Sequence, residues 1–187
     1  MAGHRILAEP GRLTEGVDDA LDCVQAAFPA EPLIVVSPLA EGADRLVAHR
    51  LLARPGAVLV AALPLPPEDY ITDFATAESQ AEFQALLRRA VRVVAMAPAA
   101  TRTAAYEAVG LYILDNCDVL VTVWDGKGPQ GQGGTGAIVA EARRRRLPIA
   151  WVHAGNRKPG TMAPTSLGDE QGKVTFENWH VGRQHTE

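Results

Sequence analysis

An apolar, β-branched run at residues 119–123 stops at a glycine-dense loop, and a small-residue helix follows at 136–146. The loop reads Trp124-Asp125-Gly126-Lys127-Gly128-Pro129-Gln130-Gly131-Gln132-Gly133-Gly134-Thr135-Gly136. Strand, glycine loop and helix start, in that order, belong to an α/β fold. The same order builds a cradle for an anion. Glycines let the backbone come close to the ligand, and the free N–H groups of the first helical turn point at it. A merely flexible loop would not require a helix start directly after Gly133, Gly134, Thr135 and Gly136. The segment therefore predicts a phosphate-bearing small-molecule ligand.

The rest of the chain repeats the alternation. Leu13, Val17, Leu21, Val24 and Phe28 recur at spacings of three and four, one face of a helix. Thr14 is its expected N-cap, with Glu15, Asp18 and Asp19 near the positive end of its dipole. Further helical faces are carried by Ala43, Leu46, Val47 and Leu51, by Phe83, Leu86, Leu87 and Ala90, and by Ala105, Ala108, Val109 and Tyr112. Short apolar runs at 33–36, 57–63, 91–96, 119–123 and 149–153 read as buried strands between them. The pattern predicts one Rossmann-like three-layer α/β domain over residues 1–153, with a mostly parallel sheet. The polar tail, 154–187, is rich in Gly, Pro, Thr and Lys. It is expected on the surface or partly disordered, with one short strand near 173–176.

The start departs from this pattern. Met1-Ala2-Gly3-His4-Arg5 has no strand before it, whereas a sheet of this kind normally begins with a buried strand feeding its first loop. The first strand is expected to be truncated: either it lies outside this sequence or the sheet tolerates a gap. A gap would leave neighbouring backbone groups unpaired in the core. Oligomerisation or insertion of another segment could compensate.

Net charge is −4, so no global electrostatic drive toward nucleic acid exists. The basic run at 143–146 falls at a helix C-terminus, where cations complement the dipole. Cys23 and Cys117 lie far apart inside apolar patterns and are expected as buried free thiols in a cytoplasmic protein. No apolar run has the length of a membrane span. His4, His49, His153, His180 and His185 show no paired ligand spacing, so no metal site is expected. Two glycine triplets spell G-x-G-x-x-G, but they follow a late strand and no acid lies about 20 residues on to take a ribose. Lys127 is followed by Gly128, which excludes the magnesium hydroxyl of a Walker A loop.

Four pieces together resemble the SLOG superfamily of Rossmann-like nucleotide-binding domains, which includes the lonely-guy phosphoribohydrolases. They are Gly3-His4-Arg5; Ser37-Pro38-Leu39-Ala40-Glu41-Gly42-Ala43-Asp44; Asp69-Tyr70-Ile71-Thr72-Asp73-Phe74; and Trp124-Asp125-Gly126 with Gly133-Gly134-Thr135-Gly136. All are expected at strand carboxyl ends, where open α/β sheets bind ligands. The resemblance implies a nucleotide site with no required cofactor, in a domain that tends to form homo-oligomers.

Each residue also has its own reading. Arg5 offers a positive fork for phosphate, and Ser37 a hydroxyl on the same rim. Gly42 allows close backbone approach. Thr135 adds a hydroxyl to the N–H groups of Gly133, Gly134 and Gly136. Asp125 could accept from ribose hydroxyls, and Tyr70 or Trp124 could stack on a base. The structural alternatives stand beside these. Asp44 is equally a helix N-cap, Asp125-Gly126 a turn pair, His4 a solvated terminal residue, and Tyr70 and Trp124 packing residues.

Three functions remain open: a nucleotide sensor or regulatory module, a phosphoribohydrolase splitting an N-glycosidic bond, and a structural subunit without ligand. Lonely-guy enzymes carry a glutamate three residues after the motif threonine. Here the first acid is Glu141, six residues past Thr135, about 9 Å along a helix instead of about 4.5 Å. That favours the sensor, with Glu41 and Asp125 left as other candidate bases.

Overall fold

A computed structural model describes residues 1–128 and 134–180. In chain order the elements are β1 (Ala2–Gly3), α1 (Pro10–Ala27), β2 (Ile34–Ser37), α2 (Ala43–Leu52), β3 (Val58–Leu63) and α3 (Pro67–Tyr70). They continue with α4 (Ala77–Arg89), β4 (Arg92–Ala95), α5 (Arg102–Asp115), β5 (Leu120–Trp124), α6 (Thr135–Arg144), β6 (Ile149–His153) and β7 (Val174–Glu177). The chain is an α/β protein of the Rossmann-like three-layer kind, with every strand pair parallel except β6–β7.

The sheet comes in two pieces, ordered β2-β3-β4 and β1-β5-β6-β7. Between them stands β1, two residues long. Its Ala2 and Gly3 pair with Thr122 and Val123 of β5. Toward β2, the Met1 ammonium donates to the Val36 carbonyl at 3.2 Å. Helices α1 and α2 pack on one face of the sheet, α5 and α6 on the other. The core is carried by fully buried aliphatics such as Leu13, Leu59, Leu63, Leu120 and Ile149. Among the described residues no helix is long and apolar enough to cross a membrane.

Local chemistry sets the element ends. Helix α1 begins four residues before Thr14, at Pro10, whose missing N–H costs nothing in a first turn. Thr14 is therefore no N-cap: it lies inside the helix, its hydroxyl donating to the Pro10 carbonyl. Thr76 and Thr101 do cap α4 and α5 through their side chains. Strand β4 corrects the expectation of uniformly buried strands. It is the sheet edge, leaving Val91 and Val93 exposed. Cys23 is exposed and Cys117 half-buried, so neither is a buried thiol. Beyond β6, Gly16 of α1 lies against the backbone of Gly172 so closely that a Cβ would sit 2.1 Å from its carbonyl oxygen. Gln171 is buried, accepts from Gly155 and Leu167 N–H groups and donates to the Ala8 carbonyl. β7 then runs antiparallel to β6.

Candidate functional site

A cavity of about 740 Å³ opens at the carboxyl ends of the strands, the place where an open α/β sheet presents loop residues from several strands together. His4 and Arg5 enter from the end of β1, Glu41 and Asp44 from the β2–α2 turn, and Asp125 from β5. Gly134, Thr135 and Gly136 enter from the N-terminus of α6. The structure thus brings the Gly3-His4-Arg5 corner and the helix mouth into one space. Gly133 lies outside the described residues.

Gly134 precedes the first turn of α6 with no side-chain cap on that helix. A Cβ built on it would meet nothing within 4 Å among the described residues. The Thr135 and Gly136 N–H groups, which have no intrahelical partner, lie at this space, while that of Ala137 is already taken by the Gly134 carbonyl. Across the cavity, the Arg5 guanidinium lies 5.3 Å from the ring centroid of Tyr106. Among the described residues no carboxylate pairs with it. Burial works against its charge, yet the Tyr106 oxygen and the anionic side of the site hold its pKa above the ordinary value. Tyr106 in turn donates to Asp73, which also pairs with Arg102 at 2.6 Å. A cation held without a carboxylate partner on the same cavity as a helix N-terminus is a place for an anion.

His4 is buried, not a solvated terminal residue. Its Nε2 lies 3.1 Å from the Asp125 backbone N–H and 3.2 Å from the Asp125 carboxylate. Burial lowers its pKa, only partly opposed by Asp125. Asp125 also accepts from the Lys127 N–H at 3.1 Å, so the Asp-Gly turn and the cavity wall are one structure.

Asp44 sits at the second position of α2 with Gly42, not itself, in the cap position. It is 4% exposed and its Oδ1 has no hydrogen-bond partner. Burial pushes its pKa up to about 7, against the pull of the Met1 ammonium, the Ala40 N–H, Arg5 and Arg45. The Tyr70 hydroxyl is likewise buried and unpartnered.

Several expected contacts serve the chain itself, and two of them, Tyr70 and Trp124, do so from the cavity wall. Ser37 is fully buried and accepts from the Leu39 N–H, fixing the turn in which Leu39 takes a left-handed φ of 57°. Gly42 does allow a close approach, but to the chain itself: at φ 77° a Cβ would lie 2.4 Å from the Arg5 carbonyl oxygen. Tyr70 packs edge-on against Phe74 and Phe83, and Trp124, 2% exposed, tilts against Trp151. Neither ring has a free face for a base, so both are packing residues. Glu141 is bound by Arg144 and Arg145, which hold its pKa down at about 2. It does not line the cavity. The basic run is spent the same way, Arg143 pairing with Glu177 and Arg145 also with Asp115.

Other side chains line the cavity: Asp73, which lies inside the third sequence piece, and Tyr106, Asn156 and Arg157, which no sequence motif marks as ligands. Asn156 and Arg157 follow β6, so the strand-end rule alone could have found them. Tyr106 has no such signal, because α5 is apolar around much of its circumference. Among the described residues no cluster of His, Cys, Asp or Glu is placed to hold a metal ion. No protein-family model matches the chain, and no curated protein matches it.

Proposed function

We propose that the chain is a SLOG-like nucleotide-binding module that holds a nucleotide or nucleotide-derived phosphorylated ligand and acts as a cytoplasmic sensor or regulatory domain, working as a homo-oligomer. The phosphate sits between the α6 N-terminus and Arg5. The sugar lies toward Asp44 and Asp125, whose oxygens suit donors. The observation that carries this reading is the placement of an unpaired guanidinium and a side-chain-free helix mouth on the same cavity. Two positive features facing one space repel each other until an anion arrives.

Sensing is favoured over N-glycosidic hydrolysis. A hydrolase needs a carboxylate set against the scissile bond. Glu141 is neutralised by two arginines outside the cavity, and Asp125 is engaged by His4 and by the backbone of its own turn. Glu41 lines the cavity but accepts from the Ser79 hydroxyl. The deciding experiment presents mono-, di- and cyclic nucleotides and ADP-ribose, reading the melting temperature and the release of ribose 5-phosphate in parallel. Stabilisation without release supports the sensor. Release supports the hydrolase. No shift with any of them leaves the structural subunit.

A further inference from the structure

Beyond β6, residues 156–165 fold back on themselves as a hairpin at the cavity rim. Arg157 faces Pro164 across an antiparallel bridge. The Lys158 N–H donates to the Ala163 carbonyl at 2.8 Å, and the Thr165 N–H to the Asn156 carbonyl at 2.6 Å. Pro159 and Gly160 make the turn: proline presets the first central position, and Gly160 takes the positive φ of the second, 74°. The base of the hairpin is braced. Gly155 lies so close to the Thr165 backbone that a Cβ does not fit between them. Gln171 ties the Gly155 and Leu167 N–H groups to the Ala8 carbonyl. A projection held in this way presents its side chains with little left to order when a ligand arrives. Asn156, Arg157 and Met162 line the cavity from it.

Both arginines that line the cavity, Arg5 and Arg157, lack a carboxylate partner among the described residues, whereas Lys127 in the same cavity lies 3.7 Å from Asp125. The Arg157 guanidinium leans on the Met162 sulfur at 3.8 Å, a weak acceptor that leaves its fork of donors open. The two guanidinium groups start from different places. Arg5 follows β1 and rests beside Tyr106 of α5, and Arg157 follows β6. Strand β5 lies between β1 and β6, so their backbones are two strand spacings, about 10 Å, apart. A single phosphoryl group between the α6 N-terminus and Arg5 leaves Arg157 without an anion. We propose that Arg157 determines specificity by taking a second phosphoryl group, so that the site selects a nucleoside diphosphate over a monophosphate. This selection rests on the nucleotide reading above and adds to it the number of phosphoryl groups. A monophosphate meets one of the two unpaired cations, and a diphosphate meets both through charge-assisted hydrogen bonds. A volume of about 740 Å³ has room for the longer ligand.

The test is titration calorimetry with AMP, ADP, GMP and GDP on the parent, Arg157→Ala and Arg5→Ala. The Arg157 side chain is exposed, so Arg157→Ala should melt with the parent in the absence of nucleotide. The parent should bind at least one diphosphate about tenfold or more tighter than the matching monophosphate. Arg157→Ala should bring that ratio to within about twofold of one, whereas Arg5→Ala should weaken both ligands and keep the ratio. Arg157→Lys keeps the charge but not the fork, and should recover only part of the preference. The proposal is overturned if the parent binds mono- and diphosphates equally, or if Arg157→Ala leaves their ratio unchanged. In either case, monophosphate binding that still depends on Arg5 leaves the nucleotide reading standing. Binding of none of the four nucleotides overturns both together.

Discussion

His4 Nε2 lies 3.1 Å from the backbone N–H of Asp125 and 3.2 Å from the carboxylate of that same residue. One nitrogen cannot serve both. A neutral ring accepts from the N–H, whereas a protonated ring donates to the carboxylate and leaves the amide without an acceptor. Burial holds the pKa of His4 below its ordinary value of 6.5. The unfolded chain therefore takes up the proton first, and the stability His4 contributes is full above about pH 6.5 and lost as pH falls through the folded value. His4→Gln keeps an acceptor and cannot titrate. Melting curves from pH 7.5 to 5 should show it losing less stability than the parent. Equal losses would show that His4 does not titrate with folding.

Asp44 gives the opposite slope. Its folded pKa is raised from 3.8 to about 7, so the folded state holds the proton more tightly. Its contribution is full below about pH 4 and lost as pH rises through 7. Asp44→Asn is neutral at every pH, and at pH 8 it should be more stable than the parent by an amount on the order of 3 kcal/mol. Denaturant titrations at pH 5 and pH 8 check this. The gain should shrink at the lower pH, and a gain independent of pH would contradict the assignment. The Met1 ammonium, Arg5 and Arg45 are the charges acting on this carboxyl.

Gly42 and Gly134 should separate architecture from recognition. Gly42→Ala places a Cβ 2.4 Å from the backbone oxygen of Arg5 at φ 77°. Backbone on both sides must move, at a cost of about 2–4 kcal/mol. Gly134→Ala meets no atom of the described residues within 4 Å at φ −85°, so its stability should stay within about 1 kcal/mol of the parent. Its effect should appear only in ligand affinity, where the methyl crowds the helix mouth. Thermal unfolding with and without ligand distinguishes the two.

The buried Arg45 is a structural counterpart to Arg5. It donates to the Leu39 carbonyl at 3.1 Å and to the Ser79 carbonyl at 2.9 Å, and pairs with Glu82 at 2.8 Å. Its guanidinium also lies 4.4 Å from the ring centroid of Phe74. Arg45→Ala strands the buried Leu39 carbonyl, removes a donor from the half-buried Ser79 carbonyl and should cost about 2–4 kcal/mol, read by urea titration, with Arg45→Lys recovering only part. A cost near zero would mean that these contacts do not hold the β2–α2 turn.

Periodicity is enough to foresee the strand–helix alternation, because each apolar stripe in it answers to one packed face: Leu13, Val17, Leu21 and Val24 are all buried on α1. The same reasoning puts the strand-end loops around one cavity. It misassigns residues whose role depends on a partner distant in sequence or on local backbone geometry. Ser37 reads as a rim hydroxyl until the Leu39 N–H is seen to need it. Gly42 announces a close approach without saying to what, and the answer is Arg5. Tyr70 carries the composition of a stacking platform, but Phe74 and Phe83 take its ring. Thr14 satisfies a capping pattern that Pro10 pre-empts. Tyr106 is illegible because nothing in an apolar helix marks the one ring that lies beside a distant arginine.

The central claim is that Arg5 and the α6 N-terminus grip one anion between them. Titration calorimetry of the chain with a nucleoside monophosphate, repeated with Arg5→Ala, tests it most directly. Arg5 has no carboxylate partner to strand, so the variant should melt near the parent. The account predicts saturable binding to the parent and at least a tenfold weaker constant in Arg5→Ala, with the loss reduced in high salt. Nucleotide binding that is indifferent to Arg5, in a folded variant, would contradict it.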